Sequence, residues 1–243
     1  MDLDFGGKTV LVVGGSSGIG NGIAQAFRAR GASVHVWGTR AAAADYADSP
    51  DSDLEGLTYA QVDVSDFAAV EAAIPGFETL DVLVLSQGTV IYNRGEFEMP
   101  GFTKVIDVNL NSLMACAAKF HPMLAAAKGA LITISSTAAY HSTRGNPAYA
   151  ASKVGVVGLT RTLGEAWARD GIRVNGIAPG LVDTKLTKVT TENPARLEGT
   201  LKSIPMRRLG LPSDMAGVAL FLASPLSAYV CGQTIPVDGG LIL

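Results

Sequence analysis

Val10-Leu11-Val12-Val13-Gly14-Gly15-Ser16-Ser17-Gly18-Ile19-Gly20 decides how this chain folds. Four consecutive apolar, mostly β-branched residues give a strand suited to burial on both faces of a parallel sheet. The glycine cluster follows at once. From residue 19 to residue 30 the spacing is helical, until Gly31 supplies a stop. A glycine-rich turn between strand and helix lets backbone N–H groups come close to an anion, and the helix N-terminus favours negative charge there. Gly14, Ser16, Ser17, Gly18, Ile19 and Gly20 are therefore candidates to cradle the pyrophosphate of a dinucleotide, with Gly20 permitting close helix–strand packing. The competing reading is a structural turn that binds nothing.

Outward from this turn, short apolar runs alternate with longer helical stretches. Residues 34–37, 59–62, 82–85, 131–134, 173–177 and 234–237 read as six further strands, the run at 59–62 being the weakest. Residues 102–127, 148–169 and 213–223 fit crossover helices. The expected fold is α/β: a Rossmann-type, doubly wound, seven-stranded parallel sheet with helices on both faces and chemistry at the carboxyl ends of its strands. No linker or repeat interrupts the pattern, so residues 1–243 are expected to form one domain.

Composition agrees. The 243 residues are 48% hydrophobic, enough for one sizeable core, and a net charge of −3 argues against a nucleic-acid binder. No apolar run spans a bilayer, and Met1-Asp2-Leu3-Asp4-Phe5 lacks the basic and apolar regions of a secretory signal, so a cytoplasmic location is expected. Cys116 and Cys231 are expected to be buried, reduced thiols. His35, His121 and His141 lack metal-ligand spacing, and no metal is expected.

Tyr149 and Lys153 lie four apart in a helical stretch, hence on one face. A phenol titrating near 10 is a poor base at neutral pH, and a nearby cation stabilises the phenolate. Ser136 follows the fifth strand, where a hydroxyl can hold a carbonyl oxygen beside the phenol; Ser135 is its rival on spacing alone. Asn109 lies inside a helical stretch that disfavours asparagine, either bending it around a water that serves Lys153 or simply buried with its amide satisfied. After the second strand, Trp37-Gly38-Thr39-Arg40 has no acid for a ribose hydroxyl but offers Thr39 and Arg40 to a 2′-phosphate, which favours NADP over NAD unless Arg40 is only a surface cation. Asp63 and Val64 either meet the adenine edge or belong to a helix cap.

Together these motifs resemble the short-chain dehydrogenase/reductase family along essentially the whole chain. The turn is similar to that family's TGxxxGxG, read with Gly14 at the threonine position, and Tyr149 and Lys153 match YxxxK. Ser136 and Asn109 match its catalytic serine and asparagine. Ala178-Pro179-Gly180-Leu181-Val182-Asp183-Thr184 looks like its PG motif, and residues 231–240 like its GQxxxVDGG ending. Leu85-Ser86-Gln87-Gly88 departs from NNAG and keeps only Gly88 for the cofactor. The resemblance implies hydride transfer between NAD(P) and a carbonyl or secondary alcohol, with Ser136, Tyr149, Lys153 and Asn109 catalytic. It further implies that Pro179, Gly180, Val182 and Thr184 approach the nicotinamide, and that the assembly is a homotetramer. Residues 185–211, punctuated by prolines, are expected to form a flap over a small-molecule substrate, and Tyr140, His141, Arg144 and Asn146 to line the pocket mouth. A silent nucleotide-binding protein of the same fold is the alternative.

Overall fold

The computed structural model describes residues 3–243; Met1 and Asp2, from the acidic N-terminus noted above, lie outside the described residues. Seven strands form one sheet: β1 (Thr9–Val13), β2 (Ser33–Gly38), β3 (Thr58–Gln61), β4 (Val82–Leu85), β5 (Ala130–Ile134), β6 (Arg173–Pro179) and β7 (Thr234–Val237). Their order is β3-β2-β1-β4-β5-β6-β7, and every neighbouring pair is parallel. The winding direction reverses between β1 and β4, which opens a crevice at their carboxyl ends.

Burial explains the apolar runs. Val10 and Val12 point to one face with Val34, Val36, Val82 and Val84, against Ile23 and Phe27 of α1 (Gly18–Arg28) and Ala219 and Leu220 of α6 (Pro212–Ala223). Leu11 and Val13 point to the other with Trp37, Leu83, Leu85 and Leu131. That face is covered by Leu113 and Phe120 of α4 (Ser112–Ala127) and Val156 and Leu163 of α5 (Pro147–Trp167). In the central strands β1, β4 and β5 both faces exclude water, so these runs carry no polar alternation.

Several expectations change. Residues 102–127 are not one uninterrupted α-helix: α3 (Met99–Ile106) passes through a π-helical turn, Asp107–Asn111, before α4 begins. Strand and α-helix do not alternate throughout either. Between β2 and β3 there is a 3-10 turn, Ala43–Tyr46, then irregular chain, whereas α2 (Phe67–Ala72) links β3 to β4. Cys116 is buried, but Cys231 is exposed, contrary to the expectation for both. Among the described residues no helix is long and apolar enough to cross a membrane, and no His, Cys, Asp and Glu cluster could hold a metal.

Candidate active site

The carboxyl ends of β4 and β5 and the first turns of α5 bring the proposed groups together. Lys153 is 4% exposed, and its Nζ donates to the carbonyl of Ile134 at 3.0 Å, its one acceptor among the described residues. Two ammonium protons remain for other partners. Burial pulls its pKa down from 10.5 to about 8, and its Nζ lies 5.5 Å from the centre of the Tyr149 ring. A Cβ built on Gly88 would stand 3.6 Å from Lys153 Nζ and 3.7 Å from Asn109 Oδ1, so the bare glycine leaves open space at the ammonium.

The two serines separate cleanly. Ser135 Oγ is buried and donates to the Lys153 carbonyl at 2.8 Å, which makes it a brace for α5. Ser136 faces the Tyr149 phenol, and its Oγ accepts from the Ala138 N–H at 3.1 Å. Desolvation raises the Tyr149 pKa above 10, the neighbouring Ser136 hydroxyl opposes that rise, and the charges of Tyr92 and Glu96 add to it. Asn109, fully buried in the π turn, accepts from Thr89 N at 2.7 Å and donates to Thr89 O at 2.9 Å and Ser152 Oγ at 3.1 Å. Its side chain is thus satisfied by protein and ties the loop after β4 to α5.

At the crevice, Gly14 has φ +74°, and a Cβ there would lie 2.7 Å from the Gln87 nitrogen; at Gly20 it would strike the Gly14 carbonyl. Both positions demand glycine. Gly14 is therefore the first glycine of the turn, and Val13 occupies the preceding position, one residue from the register expected above. The Ile19 and Gly20 N–H groups at the start of α1 have no acceptor among the described residues. Gly18 N donates to Asp51 O at 2.7 Å, Ser52 Oγ to Ser16 O at 2.5 Å, and Asn21 and Asp53 exchange two hydrogen bonds. The irregular segment after β2 thereby straps the turn. Asp51 Oδ2 is buried without a partner among the described residues, 3.9 Å from where a Gly18 Cβ would be, and Thr184 lies on the same side of Gly18.

The family described as enoyl-(acyl carrier protein) reductase matches residues 13–242. The chain belongs to the short-chain dehydrogenase/reductase family. It is 38% identical to the 3-oxoacyl-(acyl-carrier-protein) reductase of Chlamydia trachomatis over 96% of this chain and 97% of that one. It is 37% identical to the 2-dehydro-3-deoxy-D-gluconate 5-dehydrogenase of Bacillus subtilis, over 96% and 94%. A crystal structure of a gluconate 5-dehydrogenase from Burkholderia cenocepacia in complex with NADP and tartrate superposes with TM-score 0.89 and 29% identity, covering 99% of this chain and 97% of that one. This short-chain dehydrogenase/reductase is an oxidoreductase.

The remaining predicted positions follow the carboxyl ends of β2, β3, β4 and β6 in this family member. The Arg40 guanidinium lies 4.4 Å over the Tyr46 ring and donates to Ser49 Oγ at 3.0 Å and to the Asp45 carbonyl, while its N–H donates to the Tyr46 hydroxyl. A Cβ on Gly38 would lie 2.7 Å from both Ser16 Oγ and Tyr46 Oη, so the proposed 2′-phosphate residues converge there, beside Thr39. Asp63 Oδ1 accepts from Ser65 N and Oγ, and the cap of α2 belongs to Asp66, which accepts from Ala69 N at 3.1 Å. The cap reading of Asp63 is thus excluded. Val64 is buried in the core. In place of NNAG, Gln87 reaches from the sheet to Ser112 Oγ at 3.1 Å while its Oε1 has no partner among the described residues. After β6, Gly180 lies close against Asp238, and Val182 is buried. Sequence reasoning missed Tyr46, Asp51, Thr89 and Glu96, none of which lies in a recognisable motif.

Proposed function

We propose that this enzyme uses NADP(H) to interconvert a carbonyl and a secondary alcohol, with Tyr149 as the proton donor and acceptor. One observation carries the reading: a buried lysine with two unused N–H groups shares a cluster with the Tyr149 phenol and the Ser136 hydroxyl that faces it, at the mouth of a glycine-rich crevice. The free Ile19 and Gly20 donors and the missing Cβ at Gly14 fit a pyrophosphate, and Ser16, Thr39 and Arg40 fit a 2′-phosphate. The NADP bound to the Burkholderia enzyme supports the same preference. Bound there, the cofactor supplies or accepts the hydride.

The chain's own residues handle the proton. In reduction Ser136 holds the substrate oxygen, Tyr149 protonates it, and Lys153 stabilises the phenolate that remains. Asn109 holds the Thr89 loop and Ser152 in place around them. Oxidation reverses each step. For substrate we favour a polar ketone or alcohol bearing an anionic group, because Arg94, His141 and Arg144 are polar or cationic side chains in the loops flanking Tyr149. The names of the relatives, a 3-oxoacyl reductase and sugar-acid dehydrogenases, set the panel. Residues 185–211 are the flap; the Tyr92 hydroxyl donates to the Leu186 carbonyl at 2.6 Å, a contact that links flap to site.

The test is fluorescence titration with NADPH and NADH, followed by turnover on keto sugar acids and 3-oxoacyl thioesters. NADPH is expected to bind at least about tenfold tighter. Tyr149→Phe should keep that affinity and lose about a hundredfold to ten-thousandfold in kcat. Near-normal turnover by Tyr149→Phe on an accepted substrate would remove the assignment.

A further inference from the structure

Among the described residues two charged side chains are buried, Lys153 and Glu96, and they flank Tyr149 from opposite ends. Glu96 is 1% exposed and comes from the loop between β4 and α3. Its Oε2 accepts from the Tyr149 backbone N–H at 2.9 Å. Its Oε1 accepts from Ile91 N at 3.0 Å and Asn146 Nδ2 at 3.2 Å. Asn146, the N-cap residue of α5, makes no capping bond with its own side chain. A carboxylate from 53 residues away therefore performs the cap. Burying an unpaired carboxylate is costly, and here N–H donors and the positive end of α5 offset that cost.

We propose that Glu96 is a positioning residue for proton transfer: it anchors the first turn of α5, and with it the Tyr149 phenol, opposite Ser136. It does so by gripping the backbone of Tyr149 itself and the loop that ends at Ile91. The inference rests on Tyr149 being the proton carrier. The groups facing the phenol are Ser136 on the loop after β5, Lys153 on α5, and Tyr92 and Glu96 on the loop after β4. Lys153 favours the phenolate, whereas the negative charge of Glu96 disfavours it. Glu96 thus holds the phenol in its acid form to higher pH.

Glu96→Gln keeps the shape and removes the charge, and it presents an amide donor where Tyr149 N–H needs an acceptor. Tyr149 ionisation is read without substrate, as the ultraviolet phenolate difference between each protein and its Tyr149→Phe counterpart. Its inflection is expected to move to lower pH by about half a unit or more. With an accepted substrate, kcat should fall about tenfold while NADPH affinity stays within about twofold, and the alkaline rise of the oxidation rate should shift the same way. Glu96→Asp keeps the charge with a shorter reach: the inflection should stay put while kcat falls. A folded Glu96→Gln protein with an unmoved inflection overturns the proposal. If that variant does not fold, parental kcat in Glu96→Asp overturns it instead. Failure of the functional reading is separable, since it would appear as a shifted inflection with no turnover on any carbonyl.

Discussion

Lys153 shows at a single residue how function costs stability. Its ammonium is buried beside one carbonyl, and burial lowers its pKa from 10.5 to about 8. Between those values the unfolded chain binds more protons than the folded one, so this group makes the protein more stable as pH rises across that window. Below about pH 8 the whole cost of the buried charge is present. Lys153→Met removes it. The variant is expected to exceed the parent in urea stability at pH 7, with the advantage shrinking as pH rises toward 10.5, while kcat drops by about a hundredfold or more. An advantage independent of pH would trace to packing, not to charge. Ser135 and Ser136 make the complementary point: two adjacent hydroxyls of equal chemistry, one bracing Lys153 and the other meeting the phenol.

Among elements, the π turn and the strap matter most to the site. The π turn at Asp107–Asn111 turns Asn109 toward Thr89 and Ser152, and the wider ladder is a recurrent device where a helix must present a side chain inward. The strap from Ser49 to Asp53 replaces a crossover helix and brings Asp51 to the N-terminus of α1. Its carboxylate occupies a place of favourable potential, yet one oxygen has no partner. A pyrophosphate arriving at the Ile19 and Gly20 N–H groups meets that like charge. Asp51→Asn is therefore expected to tighten NADPH binding about threefold to tenfold while lowering stability without cofactor by about 0.5 kcal/mol. Titration and urea melts check both signs. Weaker binding in Asp51→Asn would mean that the carboxylate assists the cofactor.

For the whole molecule, the sheet order lines up the candidate groups along the carboxyl ends of the strands on both sides of the β1–β4 reversal, from Arg40 after β2 to Gly180 after β6, and leaves the outer faces of α4 and α5 unpartnered. Met114 and Ala118 on α4, and Ala151, Val154 and Gly158 on α5, form exposed apolar or small-residue stripes. Such faces suit packing against a second copy of the same helices, and we propose the homotetramer implied by the family resemblance as the assembly. Sedimentation is expected to give four times the 25.1 kDa subunit mass, and Val154→Glu, at a position 53% exposed, should dissociate it without unfolding the subunit. A monomeric parent would reject the assembly and leave the site untouched.

The strands, the glycine turn and the Tyr149–Lys153 spacing were legible in the sequence because each is a local pattern: a run buried on both faces, a backbone that must lack Cβ, a helical repeat. Boundaries moved by one to three residues, as at β6, which extends to Pro179. Two signals were present but ambiguous. Asn109 marked an irregular helix without revealing the π turn, and Asp63 stood near a cap that belongs to Asp66. Glu96 and Asp51 gave no signal, since a glutamate and an aspartate in polar loops look like solvated surface. Tertiary structure alone enclosed the first against the N–H of Tyr149 and laid the second on the glycine turn. The glycine turn that fixed the fold is thus half of the site; the packing of distant loops decides which charges reach it, because the cost of burying a charge is set by neighbours remote along the chain.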